Sequence, residues 1–149
     1  LGDVYKRQRL YIEELCYRTE MLSSDIIKFL RPYADDGLFV YADSADPRLI
    51  DEVALGGIVI YGAQKGAGSI LAGIDKMQTF EIFATRQSVH LQSEFRKYVW
   101  AKDKDGNYIN VPEDHDNHLI DAARYYILAV LLGKVMKPRK ASKSDLGVY

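Results

Sequence analysis

The sequence predicts an α/β fold with parallel strand pairs, and three observations carry that prediction. Segments rich in β-formers alternate with segments whose apolar residues recur at helical spacing, the pattern of strands joined by crossover helices. Two short runs, Leu38-Phe39-Val40-Tyr41-Ala42 and Ile58-Val59-Ile60-Tyr61, are continuously apolar, as strands covered on both faces are. Between them, Asp46-Pro47 has the form of an N-cap with proline at the first helical position, and Gly56-Gly57 supplies the stop.

In chain order, Leu10 to Tyr17 reads as a strand. Ser23-Ser24-Asp25 then caps a short helix carrying Ile26, Ile27, Phe29 and Leu30, which Pro32 and the Asp35-Asp36-Gly37 turn end. Leu38–Ala42 is the candidate central parallel strand, Pro47 to Leu55 a helix, and Ile58–Tyr61 a second buried strand. The Gly62 to Ser69 loop leads into a helix with Ile70, Leu71, Ile74 and Met77 on one face, and Phe80, Ile82 and Ala84 alternate as a strand. Leu91, Phe95 and Tyr98 mark another helix. Asp105-Gly106 between Val99-Trp100 and Tyr108-Ile109 signals a β-hairpin. The longest helix follows from an Asp116 cap to Gly133. The ends fall outside this pattern: residues 1–8 read as a non-native or disordered segment, and 134–149, with Lys134, Lys137, Arg139, Lys140 and Lys143, as a flexible basic tail.

Composition narrows the class. The 149 residues carry Lys+Arg 20 against Asp+Glu 21, a net charge of -1, with 48% hydrophobic and 28% charged residues. That balance excludes a disordered chain, a collagen-like chain and a free-standing polybasic nucleic-acid binder. The longest apolar run, Tyr125 to Leu132, is shorter than the roughly 20 residues a membrane span needs. The single Cys16 cannot form an internal disulfide and reads as a small buried hydrophobe, which fits a cytoplasmic setting.

Two acids are placed where chemistry is usually built. Asp43 follows the last apolar residue of the buried strand, at its carboxyl end, where open α/β sheets form their sites; capping of the following helix, with Ser44 and Asp46, is the competing reading. Asp121 lies three residues after His118 and four after Asn117, so the three share one helical face. Glu113, Asp114 and Asp116 complement the helix dipole, but Asp121 lies too far along the helix for that role. Two carboxylates with a nearby imidazole are ligands that a hard cation such as Mg²⁺ or Mn²⁺ accepts, and phosphodiester hydrolysis is the obvious use.

Four motifs in register resemble the nuclease domain of phage terminase large subunits: Tyr41-Ala42-Asp43-Ser44-Ala45-Asp46-Pro47; Ala63-Gln64-Lys65-Gly66-Ala67-Gly68-Ser69-Ile70 with Gly73-Ile74-Asp75; the Trp100 to Tyr108 hairpin; and Asn117-His118-Leu119-Ile120-Asp121-Ala122-Ala123-Arg124-Tyr125. The resemblance spans roughly Leu10 to Leu132 and marks residues 9–133 as the domain. It implies a ribonuclease H-like mixed sheet flanked by helices, with the hairpin inserted before the C-terminal helix. It also implies an Mg²⁺- or Mn²⁺-dependent endonuclease that cuts concatemeric double-stranded viral DNA by two-metal hydrolysis. Asp43 and Asp121 map onto the second and third metal-binding acids, and His118 onto a further ligand or supporting group. The family's first acid stands on a strand this chain lacks, and no G-x-x-x-x-G-K-[ST] loop of the ATPase motor occurs, so the chain reads as a fragment inactive alone.

Lys65, in its glycine-containing loop, and the hairpin residues Lys102 and Lys104 are candidate contacts to the DNA backbone; a plain loop and a solvated turn tip are the competing readings. The partners implied are the terminase ATPase domain, the small terminase subunit and the portal, in the cytoplasm of the infected bacterial host. Balanced charge implies weak, salt-dependent DNA binding by the isolated domain, so that cutting relies on tethering. Two alternatives stand beside the endonuclease: a non-catalytic docking module of the packaging motor, and another ribonuclease H-like nuclease such as a resolvase or transposase.

Overall fold

The computed structural model describes residues 8–133 and the backbone of Val135–Met136. The chain divides into two compact units. One joins the described residues up to Tyr17 with Gly66–Ile127, and the other joins Arg18–Lys65 with the described residues from Leu128.

In the first unit, β1 (Gln8–Ile12) pairs in parallel with β4 (Phe80–Ala84), Leu10 opposite Ile82 and Ile12 opposite Ala84. Alternation works on both strands. Leu10, Ile12, Ile82 and Ala84 pack onto a core of Met77, Leu91, Ile120 and Ile127, while Tyr11 and Phe83 stack outside at 5.3 Å. The core is completed from α3 (Ser69–Gln78), α4 (Val89–Lys97) and α5 (His118–Tyr126). Strands β5 (Trp100–Lys102) and β6 (Tyr108–Pro112) form the antiparallel hairpin. The Asp103 carboxylate ties its turn, accepting from the Asp105 and Asn107 N–H groups at 2.9 Å each, and Gly106 supplies the left-handed residue (φ 84°).

In the second unit, β2 (Val40–Ala42) runs parallel to β3 (Ile60–Ala63), with Val40 opposite Ile60 and Ala42 opposite Gly62. Strand β7 (Val135–Met136) adds antiparallel to the other edge of β3, making a mixed sheet. Helices α1 (Ser23–Asp35) and α2 (Pro47–Leu55) bring Ile26, Ile27, Leu30, Ile50 and Val53 onto Ile58 and Ile60. Helix α2 has the predicted limits: the Asp46 carboxylate accepts from the Leu49 N–H at 3.1 Å, Pro47 is the first helical residue and Gly57 (φ 83°) follows the end.

Several expectations are corrected. Among the described residues β3, not β2, is the middle strand, and Leu38 and Phe39 are 55% and 60% exposed. A continuous apolar run does not distinguish two buried faces from aromatics packed along an edge, and here Phe39 and Tyr41 both lie against the Tyr61 ring. Pro32 does not end α1. It removes a single donor while the apolar face through Leu30 and Ala34 continues; the helix stops where Gly37 (φ 80°) donates its N–H to the Ala34 carbonyl.

The first strand ends at Ile12 rather than Tyr17, because the following backbone leaves the sheet to bring Glu14 to α4. Asp116 does not cap α5. It sits at φ 49° and pairs with Lys97, Asn117 holds the cap position, and the helix passes into a π-helical turn at Ile127–Leu131. Gln8 belongs to β1, and Val135–Met136 to β7 rather than to a tail; the rest of both predicted end segments, 1–7, 134 and 137–149, lies outside the described residues. No helix among the described residues is long and apolar enough to cross a membrane.

Replacing Asp46 with alanine removes the α2 cap and is expected to lower unfolding free energy by about 0.5–2 kcal/mol. Urea denaturation of the variant beside the parent measures it.

Candidate active site

Asp121 is held by its own helix. Arg124, one turn on, donates from Nη2 to Asp121 Oδ1 at 2.7 Å, and the Tyr125 hydroxyl makes a long 3.5 Å contact with Oδ2. The Arg124 side chain is only 5% exposed, and its guanidinium lies 5.2 Å from the Tyr125 ring centroid. The charge on Asp121 reaches across to α4's end. Burial pushes the Tyr98 phenol above its ordinary 10.0, and the Asp121 carboxylate pushes it further, against the opposing pull of Arg124.

The start of α5 is fixed by another helix. Glu94, 4% exposed on α4, accepts at Oε2 from the N–H groups of Leu119 (2.8 Å) and Ile120 (3.0 Å). These are two of the donors every helix start leaves open, and no cap side chain within α5 takes them. Its other oxygen, Oε1, is buried with no hydrogen-bond partner among the described residues.

The same device recurs one helix earlier. Glu14 Oε2 accepts from the His90 and Leu91 N–H groups at 3.0 and 3.1 Å, and its Oε1 lies 2.5 Å from His90 Nδ1. Burial pushes the Glu14 carboxyl up, but the hydrogen bonds from His90 and Leu91, with the charge of His90, outweigh it and hold the carboxyl below its ordinary 4.5. The His90 ring stacks on Tyr17 at 4.3 Å, and Tyr17 stands 6.5 Å from the exposed His118 ring.

Asp43 directly follows β2, as expected of a residue at a strand's carboxyl end. It is not the α2 cap, which is Asp46: Asp43 Oδ1 accepts from the Ala45 N–H at 2.8 Å and pairs with the Lys65 ammonium. Close packing beneath this turn uses Gly62, where a Cβ would lie 3.2 Å from the Ser44 side chain. The candidate DNA-contacting lysines are thus placed differently. Lys65 lies on Asp43, Lys102 sits 4.7 Å over the Tyr108 ring, and Lys104 is exposed at the hairpin tip.

Asp43 belongs to one unit and His118 and Asp121 to the other. The carboxylate oxygens of Asp43 and Asp121 are the donors a hard divalent cation takes, although among the described residues no three His, Cys, Asp or Glu side chains gather into a group that could hold a metal.

The model of the terminase RNase H-like domain matches residues 2–128. The chain belongs to this family. It is 34% identical over 126 residues to the terminase large subunit of Bacillus phage SPP1, covering 80% of this chain and 29% of that protein. It is 29% identical over 121 residues to the PBSX phage terminase large subunit of Bacillus subtilis (strain 168), covering 80% and 28%. The chain thus spans less than a third of the length of these curated relatives. A crystal structure of the large terminase nuclease domain from bacteriophage SPP1 with bound Mn superposes at a TM-score of 0.71 with 31% identity, over 83% of this chain and 72% of that one. The fold is therefore mixed α/β of the RNase H-like type. The family match begins at residue 2, inside the segment set aside on sequence grounds.

Sequence reasoning singled out Asp43, Asp121 and His118 but assigned no role to Glu94, Glu14 or Arg124. Two of these left a signal: Glu94 falls on the apolar stripe Leu91, Phe95, Tyr98, and Arg124 stands three residues from Asp121. Glu14 left none, since its partner is 76 residues away.

Removing Glu94 with alanine is expected to lower stability by about 2 kcal/mol or more, since two N–H donors lose their acceptor. Hydrogen exchange should accelerate at Leu119 and Ile120 ahead of the rest of α5. For Glu14 the folded carboxyl lies below its unfolded value, so its stabilisation is fully present above 4.5 and is lost as pH falls through the folded value. The deficit of Glu14→Gln is accordingly expected at pH 7 and should shrink below about pH 4.5 in thermal unfolding followed across pH.

Proposed function

We propose that the chain is the nuclease domain of a phage DNA-packaging terminase large subunit, cutting concatemeric double-stranded viral DNA with Mg²⁺ or Mn²⁺ by two-metal phosphodiester hydrolysis. The likeness to the Mn-bound SPP1 nuclease domain, in sequence and fold together, is the observation that carries this reading. The donor chemistry fits: Asp43 and Asp121 supply hard oxygen ligands, with His118 as a further ligand or supporting group. Bound divalent ions would supply Lewis acidity, activating water and stabilising charge on the phosphate and the leaving oxygen.

The chain's own residues do the rest. Arg124 and Tyr125 orient the Asp121 carboxylate, while Glu94 fixes the helix start on which His118 and Asp121 are carried. Lys65 neutralises Asp43. A cation taken up by Asp43 would assume that task and leave the Lys65 ammonium to a DNA phosphate. Lys102 and Lys104 on the hairpin track the backbone similarly. The ATPase domain, small terminase subunit and portal are the partners, acting in the host cytoplasm and holding this nearly neutral domain on DNA.

In the full-length protein, Asp121→Asn and Asp43→Asn are expected to abolish plasmid cleavage with Mg²⁺ or Mn²⁺, Asp43→Asn at near-parental thermal unfolding and Asp121→Asn folded but less stable, because its charge compensates the buried Arg124 guanidinium. Asp46→Ala should lower stability and still cut. Cleavage that survives Asp121→Asn, or is lost in Asp46→Ala at unchanged stability, would overturn the assignment.

A further inference from the structure

Gly73 is the residue of α3 whose place is contested. An interior helical glycine is disfavoured by about 1 kcal/mol relative to alanine, so its presence calls for a local reason. A Cβ built there would fall 2.4 Å from Arg124 Cγ and 2.8 Å from Arg124 Cδ. The Arg124 stem therefore occupies the space a side chain on α3 would take. Arg124 is 4% exposed and its Nε is buried with no hydrogen-bond partner among the described residues. Of its polar atoms, Nη2 makes the 2.7 Å bond to Asp121 Oδ1.

A buried guanidinium whose stem lies in a glycine notch has few alternative rotamers, and a fixed guanidinium fixes the carboxylate it holds. We infer that Gly73 and Arg124 act together as positioning residues for Asp121: the missing side chain at Gly73 seats Arg124, and Arg124 commits Oδ1 so that Oδ2 is presented to a divalent cation in one orientation. This rests on the reading of Asp121 as a metal ligand. Neither residue touches the metal. Tyr125, whose hydroxyl reaches Oδ2 only at 3.5 Å, leaves that oxygen weakly held.

The geometry makes Gly73→Ala a specific perturbation. It introduces a good helix former into α3 but sets its Cβ against Cγ and Cδ of the buried Arg124 stem, so the chain should fold at lowered stability with Arg124 displaced. The test is an Mn²⁺ titration of the 149-residue chain, followed by paramagnetic broadening of amide resonances, which registers even weak binding, with thermal unfolding measured on every variant. In the parent, broadening should centre on the first turns of α5 and disappear in Asp121→Asn. Gly73→Ala and Arg124→Lys should each weaken Mn²⁺ binding by about tenfold or more at temperatures where thermal unfolding shows the variant still folded, Lys retaining charge but not the planar fork. Adding Gly73→Ala to Arg124→Ala should change nothing further, because the displaced stem is already gone.

Parental Mn²⁺ affinity in folded Gly73→Ala, or an equal loss from it with and without Arg124, would overturn the positioning role while leaving Asp121 as ligand. Broadening that is absent from α5, or that survives Asp121→Asn, would overturn the ligand reading and this inference with it. Should the Arg124 variants not fold, the affinity of Gly73→Ala alone decides: a loss of about tenfold supports the positioning role, and parental affinity overturns it.

Discussion

The carboxyl group of Glu94, buried on α4 and bonded to the N–H groups of Leu119 and Ile120, sets where α5 begins. A helix start exposes open donors, and in a packed interior those donors need an acceptor that water cannot supply. Because the acceptor here comes from α4, the rotation and axial position of α5 follow from those of α4. The placement of α4 depends in turn on Glu14, which leaves the end of β1 to cap it. Strand, helix and helix are thereby tied in sequence by two carboxyls, and His118 and Asp121 ride on the last member. Apolar packing of Met77, Leu91, Ile120 and Ile127 supplies the bulk of the driving force, but such packing is non-directional. The hydrogen bonds choose among the arrangements it would accept.

A second layer of constraint acts within a single turn. Asp121, Arg124 and Tyr125 lie at helical spacings of three and four, so the carboxylate meets a guanidinium and a hydroxyl without any tertiary search. What tertiary structure adds is dryness. Arg124 is buried against α3 at Gly73, where its contact with Asp121 is screened far less than an exposed pair would be. Asp43 and Lys65 present the contrasting case, a half-exposed pair at a strand end that solvent screens strongly. The two acids thus sit in different electrostatic settings. One is paired with a buried cation, and the other with a half-exposed one.

Membership of the terminase RNase H-like family accounts for the fold, and Asp43 and Asp121 carry oxygen donors of the type a hard cation takes. The balanced net charge of -1 adds a functional constraint of its own. With no net positive charge, the domain offers DNA phosphates little electrostatic attraction of its own.

By itself, the sequence determined the features that rest on neighbours along the chain. The limits of α2 follow from Asp46, Pro47 and Gly56-Gly57. The β5–β6 turn follows from Asp105-Gly106, the strand β4 from strict alternation, and the shared face of His118 and Asp121 from helical spacing. The motif pattern gave the family for the same reason, since it is a matter of residue types in register. Only tertiary structure decided that β3 rather than β2 is the middle strand among the described residues, that α1 runs through Pro32, that Glu94 instead of Asp116 serves the start of α5, and that the Arg124 stem lies where a side chain at Gly73 would. These depend on which partner reaches a donor, an edge or a notch from tens of residues away. Local periodicity records that a side chain is turned inward, and it carries no information about what that side chain will meet there.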